Sequence, residues 1–219
     1  FTLSYKGFVN GNSVFNINVK PTVYTTATIN SDVGEYPLTC SGGSSTNYNF
    51  SYQTGYLTIS KAPLAVSVNN AIRAYGESNP EFTINYSGFR NSDSKTSLTT
   101  EPQATTTATQ TSNAGTYPLM VSGGSAMNYS FTYTSGELTV DKAPLIITAE
   151  NKERKEGEEN PPFTLLYSGF KNGEKESDLD VLPIISCSAD VNSPVGAYDI
   201  ILTSGLDKKY HKLRQENLH

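Results

Sequence analysis

Asn79-Pro80-Glu81-Phe82-Thr83-Ile84-Asn85-Tyr86-Ser87-Gly88-Phe89 decides how the chain is read, because it returns almost intact at Asn160 to Phe170. Its core, Phe-Thr-x-x-Tyr-x-Gly-Phe, also opens the chain at Phe1 to Phe8, so the pattern occurs three times at a constant offset of 81 residues. Self-similarity at a fixed period is the mark of tandem modules. The first copy and the start of the second agree at 32 of 64 aligned positions without a gap. The second and third agree at 21 of 74, again without a gap, so even the loops keep their lengths. Three domains in a row are expected: 1–61, 62–142 and 143–219. The first reads as N-terminally incomplete, because Ala65 to Glu81 have no counterpart ahead of Phe1.

Working outward, apolar residues alternate along each copy in short runs, the period of half-buried strands. In the second copy these runs are Leu64-x-Val66-x-Val68, Phe82-x-Ile84-x-Tyr86, Ala104-x-Thr106-x-Ala108, Tyr117-x-Leu119-x-Val121, Tyr129-x-Phe131-x-Tyr133 and Leu138-x-Val140. Gly, Asn and Ser turns separate them. The polar stretch Asn91 to Ser97 drifts most between copies and reads as an exposed loop with a short helical turn. The Thr-rich run after Pro102 suits a sheet edge. The expected fold class is all-β, as three small antiparallel β-sandwiches of immunoglobulin-like kind, each filled by its own tyrosines and aliphatics. A β-grasp-like module with a short helix at Asn91 to Leu98 is the alternative.

Copies meet through Lys61-Ala62-Pro63 and Lys142-Ala143-Pro144. Proline fixes its own φ and holds the preceding residue extended. A stiff rod is expected, on the order of 100 Å for three modules of typical strand length. The third copy departs at its end, where Lys212 and Arg214 replace inward aromatics; a polar cap or a frayed end would each explain this.

Composition excludes several functions. A net charge of −5 offers no basic surface for nucleic acid. No run approaches the roughly 20 apolar residues of a membrane span, so no membrane contact by this fragment itself is expected. Cys40 and Cys187 stand at different repeat positions and read as small buried fillers. The histidines, His211 and His219, lack ligand spacing, so no metal, cofactor or catalytic residue is assigned. The mixed run Lys152 to Glu159 holds acids that suit calcium at a junction, but interleaved lysines oppose a cation.

Of the 14 tyrosines, nine form threefold sets: Tyr5, Tyr86, Tyr167; Tyr36, Tyr117, Tyr198; and Tyr48, Tyr129, Tyr210. A tyrosine required in every copy is core, its hydroxyl bonded at the rim. Tyr52 and Tyr133 add a pair. That leaves Tyr24, Tyr56 and Tyr75 as free aromatics and candidate ligand contacts.

The signature Tyr75-Gly76-Glu77-x-Asn79-Pro80-x-Phe82-Thr83, with Tyr86-Ser87-Gly88-Phe89, Gly115-x-Tyr117, Asn128-Tyr129 and Gly136-x-Leu138-Thr139-Val140-x-Lys142-Ala143-Pro144, resembles the MBG repeat, a mostly-β, glycine-rich module. The third copy departs at Glu156, where the motif has tyrosine. The resemblance implies a non-enzymatic segment of a bacterial extracellular or cell-surface protein, such as the stalk of an adhesin. It also implies an extracellular ligand, a glycan or a host or surface protein, of unknown identity. A monomer is expected. A carbohydrate- or protein-binding module using the variable loops is the second expectation.

Overall fold

The computed structural model describes residues 1–203, 205 and 207–211. Within the first copy, β1 (Thr22–Tyr24), β2 (Gly34–Ser41) and β3 (Gly55–Ile59) form one sheet in that order. The second copy supplies β4 (Ala62–Val68), β5 (Ala71–Ala74), β6 (Ile84–Ser87), β7 (Gln103–Thr106), β8 (Gly115–Ser122), β9 (Tyr129–Thr134) and β10 (Gly136–Asp141). These make two sheets, ordered β6-β4-β9 and β5-β10-β8-β7. The third copy contains β11 (Ile146–Ala149) paired with β12 (Leu165–Ser168), and β13 (Ile184–Cys187) paired with β14 (Ile200–Thr203). The fold is all-β.

Alternation explains the strands. Along β4, Leu64, Val66 and Val68 are 0, 1 and 6% exposed, while Pro63, Ala65 and Ser67 face outward or are half-buried. Burying each such aliphatic contributes about 1.5–3 kcal/mol. Copies also keep their register: Gly34 stands opposite Ile59 as Gly115 stands opposite Val140. The Thr-rich strand β7 lies at a sheet edge, as expected.

Each drifting polar stretch carries a three-residue 3-10 turn, at Val14–Asn16, Lys95–Ser97 and Glu176–Asp178. Every copy retains an acceptor at the third position of its turn. Asn16 Oδ1, Ser97 Oγ and Asp178 Oδ2 accept the backbone N–H of Ser13, Ser94 and Lys175 at 2.9, 3.2 and 2.9 Å. The sequence drifts, yet the function of that position persists.

Two features differ from expectation. The first is that β5 pairs with β10 in parallel, Leu138 to Asp141 against Ala71 to Ala74, so the sheets are not purely antiparallel. Alternation does not reveal this strand, because Ala71-Ile72-Arg73-Ala74 buries an arginine where the pattern calls for an apolar residue.

The second concerns the cores. The chain divides into two compact units. One comprises Phe1–Val66, Tyr86–Gln103 and Ser122–Tyr133; the other comprises Ser67–Asn85, Ala104–Val121 and Thr134–His219. The second copy contributes to each. In the first unit, the Lys-Ala-Pro link is itself bonded: Lys61 Nζ donates to Ala126 O at 3.0 Å and Ala62 N to Asn128 O at 2.9 Å. Asn128 answers Val33 N through Oδ1 at 2.9 Å and Asp32 Oδ1 through Nδ2 at 2.7 Å.

In the second unit, Tyr75, Ala108, Leu138 and Val140 form one apolar cluster with Ala143, Leu145, Ile147 and Tyr210. The expectation that each copy fills its own core is therefore corrected here. Because only three residues separate the last strand of one copy from the body of the next, Ala143 is itself fully buried and joins the two interiors. The link repeats the bonding of the first: Ala143 N reaches Lys209 O at 2.8 Å, and Lys142 Nζ reaches Asp207 O. Lys212 and Arg214, the basis for a terminal cap, lie outside the described residues.

Candidate functional site

The most organised polar group in the second unit grows from the turn that follows β5. Glu77 N donates to Ala74 O at 3.2 Å and Glu77 Oε2 accepts Ala74 N at 3.0 Å, closing a tight reversal. Gly76 takes φ +84°, where L side chains are strained. Arg73, 5% exposed, donates from Nε to Asn79 Oδ1 at 2.7 Å and also to the carbonyls of Ala74 and Thr109. Asn79 Nδ2 completes the brace on Ala108 O at 2.8 Å.

This turn aims Tyr75 into the third copy. The ring is 1% exposed and meets Tyr210 edge-on, with centroids 5.7 Å apart. Its hydroxyl donates to Glu174 Oε1 at 2.7 Å. Lys209 Nζ reaches the same oxygen at 2.6 Å and lies 5.8 Å from the Tyr75 ring centroid. Tyr210 donates its hydroxyl to Glu174 Oε2 and accepts Lys171 N at 2.9 Å. Gly76 packs so closely that a Cβ there would lie 2.6 Å from Lys171 Cβ.

The electrostatics follow from this packing. Burial, and then the bonds to Glu174, push the hydroxyl pKa of both Tyr75 and Tyr210 upward. For Glu174, burial alone would raise the pKa, but the bonds from Lys209, Tyr210 and Tyr75 outweigh it and the net shift is downward. The Glu174 bond raises Lys209. With both oxygens engaged by three donors, the carboxylate serves as an anchor between copies.

The model of the MBG domain, YGX type, matches three times, at residues 1–58, 64–139 and 145–213. The chain belongs to the MBG family. That is a family of tandem-repeat, extracellular-type modules and not a known enzyme family. No curated protein and no solved structure matches the chain.

Tyr75-Gly76-Glu77 is the Tyr-Gly-x signature of the second MBG copy. Its tyrosine does not fit the expectation of a free surface ring, since its partners, up to 99 residues away, enclose it. Sequence reasoning missed Glu174, Lys209 and Arg73. Arg73 left a signal: Arg154 stands at the same repeat position and also bonds its Asn160, at 2.8 Å.

Tyr24 and Tyr56 are 55 and 64% exposed. Tyr24 stands opposite Thr39 and Tyr56 opposite Pro37 on the central strand β2, so both rings share its outward face. One threefold set bonds at its hydroxyls as expected, Tyr36, Tyr117 and Tyr198 each donating to the carbonyl four residues earlier, at 2.9, 2.8 and 3.0 Å, but Tyr198 is 38% exposed and so is not the core residue expected. Cys40 and Cys187 are free and half-buried. In the acidic run, Lys155 N donates to Glu158 Oε2 at 3.1 Å, and just ahead of it Glu150 pairs with Lys152 at 3.3 Å. Among the described residues no group of three His, Cys, Asp or Glu is placed to hold a metal, and no helix is long and apolar enough to cross a membrane. His219 lies outside the described residues.

Proposed function

We propose that this chain is a stretch of stalk in a bacterial cell-surface protein, a non-enzymatic spacer that holds an adhesive part away from the cell. The observation that carries this reading is the junction of the second and third copies, where Ala143 and Tyr75 are buried and the Lys-Ala-Pro link is hydrogen-bonded. Such a junction transmits load and resists bending, as a spacer requires and a flexible tether would not. The family supports the extracellular setting. Small-angle scattering tests the proposal: a maximum dimension on the order of 100 Å is expected for three modules in line, and a compact globule of this mass would refute it.

A second reading has its own observation. The exposed pair Tyr24 and Tyr56 is peculiar to the first copy, since the second carries Thr105 and Glu137 at those positions. Two tyrosines on one outward sheet face suit stacking against sugar rings. Reproducible glycan-array binding that vanishes in Tyr24→Ala and Tyr56→Ala would support it; binding unchanged in both variants would dismiss it.

A further inference from the structure

Every MBG copy carries the same aromatic socket. Phe8 meets Tyr48, Phe89 meets Tyr129 and Phe170 meets Tyr210, at 5.4, 5.5 and 5.6 Å and nearly perpendicular. Each of these tyrosines binds the residue after its Phe through the backbone N–H: Val9 at 3.3 Å, Arg90 at 2.9 Å and Lys171 at 2.9 Å. Each also bonds a side chain three positions farther on, Asn12 at 2.8 Å, Asp93 at 2.7 Å and Glu174. The residue that enters a socket is not repeated in this way. Tyr75 of the second copy enters the socket of the third, and Glu156 stands at the same repeat position in the third copy. Plug and socket occupy different repeat positions, so the plug of one copy meets the socket of the copy after it.

The turn that presents the plug is nevertheless the same in both. Gly157 has φ +81° against +84° for Gly76, and Arg154, Asn160 and Glu158 repeat the bonds of Arg73, Asn79 and Glu77. Only the presented side chain changes.

We infer that the first residue of the Tyr-Gly-x turn is a coupling code: tyrosine fastens its copy onto a following MBG copy whose socket holds a carboxylate, and glutamate refuses that socket. Tyrosine brings a neutral donor and an apolar ring to Glu174, beneath the Lys209 ammonium. Glutamate in the same place would aim a second carboxylate at Glu174, where like charges disfavour one another, and would bury no ring. The partner recognised is another copy of the module, selected by a carboxylate at the Glu174 position, which Asp93 supplies in the second copy. A copy with Glu156 would leave whatever MBG copy follows it uncoupled.

The inference rests on the stalk reading only for its purpose, and its test reads coupling whatever the protein's role. Spin labels are placed at Ile72 and Leu166, which are 67 and 57% exposed. Native cysteines are first changed to the residues of the sister copies, C40V and C187T. Double electron–electron resonance should give one narrow distance distribution for the parent and for Tyr75→Phe. It should broaden several-fold in Tyr75→Glu and narrow again when Glu174→Gln is added, because the carboxamide removes the opposing charge. Since the double variant keeps the introduced glutamate, its recovery separates charge rejection from misfolding. A distribution in Tyr75→Glu as narrow as the parent's would overturn the inference, and so would a double variant as broad as Tyr75→Glu alone.

Discussion

Two turns of nearly identical backbone, Tyr75-Gly76-Glu77 in the second copy and Glu156-Gly157-Glu158 in the third, end in opposite environments. Tyr75 is 1% exposed against Tyr210, whereas Glu156 is exposed. A Cβ on Gly76 would collide with Lys171, while one on Gly157 meets nothing within 4 Å. The same turn is therefore built whether or not another copy lies against it: the third copy covers Tyr75, and no described residue covers Glu156. Arginine, asparagine, glycine and glutamate build the reversal in both copies, and in the second copy that reversal holds Tyr75 against the third.

The sharpest way to break this comparison is to empty the plug. Tyr75→Ala removes a buried ring and should destabilise the second unit by about 3–5 kcal/mol, while Glu156→Ala should stay within about 0.5 kcal/mol; urea unfolding of the two variants measures the contrast. Next comes the glycine. Gly157→Ala should cost only the φ strain, about 1–2 kcal/mol, and Gly76→Ala should exceed it by about 1–3 kcal/mol from overpacking on Lys171. Equal losses in the same unfolding experiment would mean that the close approach is relieved cheaply. The brace should behave alike in both copies: Arg73→Ala and Arg154→Ala should each cost about 1.5–3 kcal/mol, with the buried Arg73 at the upper end, as read from thermal midpoints.

The smallest effect is electrostatic. Glu174 has a folded pKa below its ordinary 4.5, so its contribution is fully present above pH 4.5 and fades as pH falls through the folded value. Lys209 is raised above 10.5, so its contribution is present below that pH and is lost as pH rises through the folded value. The stability gap between the parent and Glu174→Gln should therefore be widest at neutral pH and shrink in acid. A gap that stays constant down the acid limb would show that Glu174 is not ionised in the clamp.

Much of this was legible without coordinates. The 81-residue echo marked the copies, alternation located β4, β8 and β10, and threefold recurrence identified Tyr129 and Tyr210 as interior. The clamp was not legible by that logic, because recurrence finds residues that serve their own copy. Tyr75 serves the next one, so nothing requires its repetition, and its absence from the third copy made it look idle. The parallel union of β5 with β10 was hidden for a related reason. Strand pairing over 67 residues leaves no local trace, and a buried arginine masks the strand's period.

That parallel pair has a mechanical meaning. β5 lies near the beginning of the second copy and β10 at its end, side by side and pointing the same way. Tension applied through the chain ends would pull the two strands past each other lengthwise, loading their cross-links together in shear. A hairpin pulled from its open end would instead unzip rung by rung, so this pairing would resist extension with several cross-links at once where a hairpin would present them one at a time.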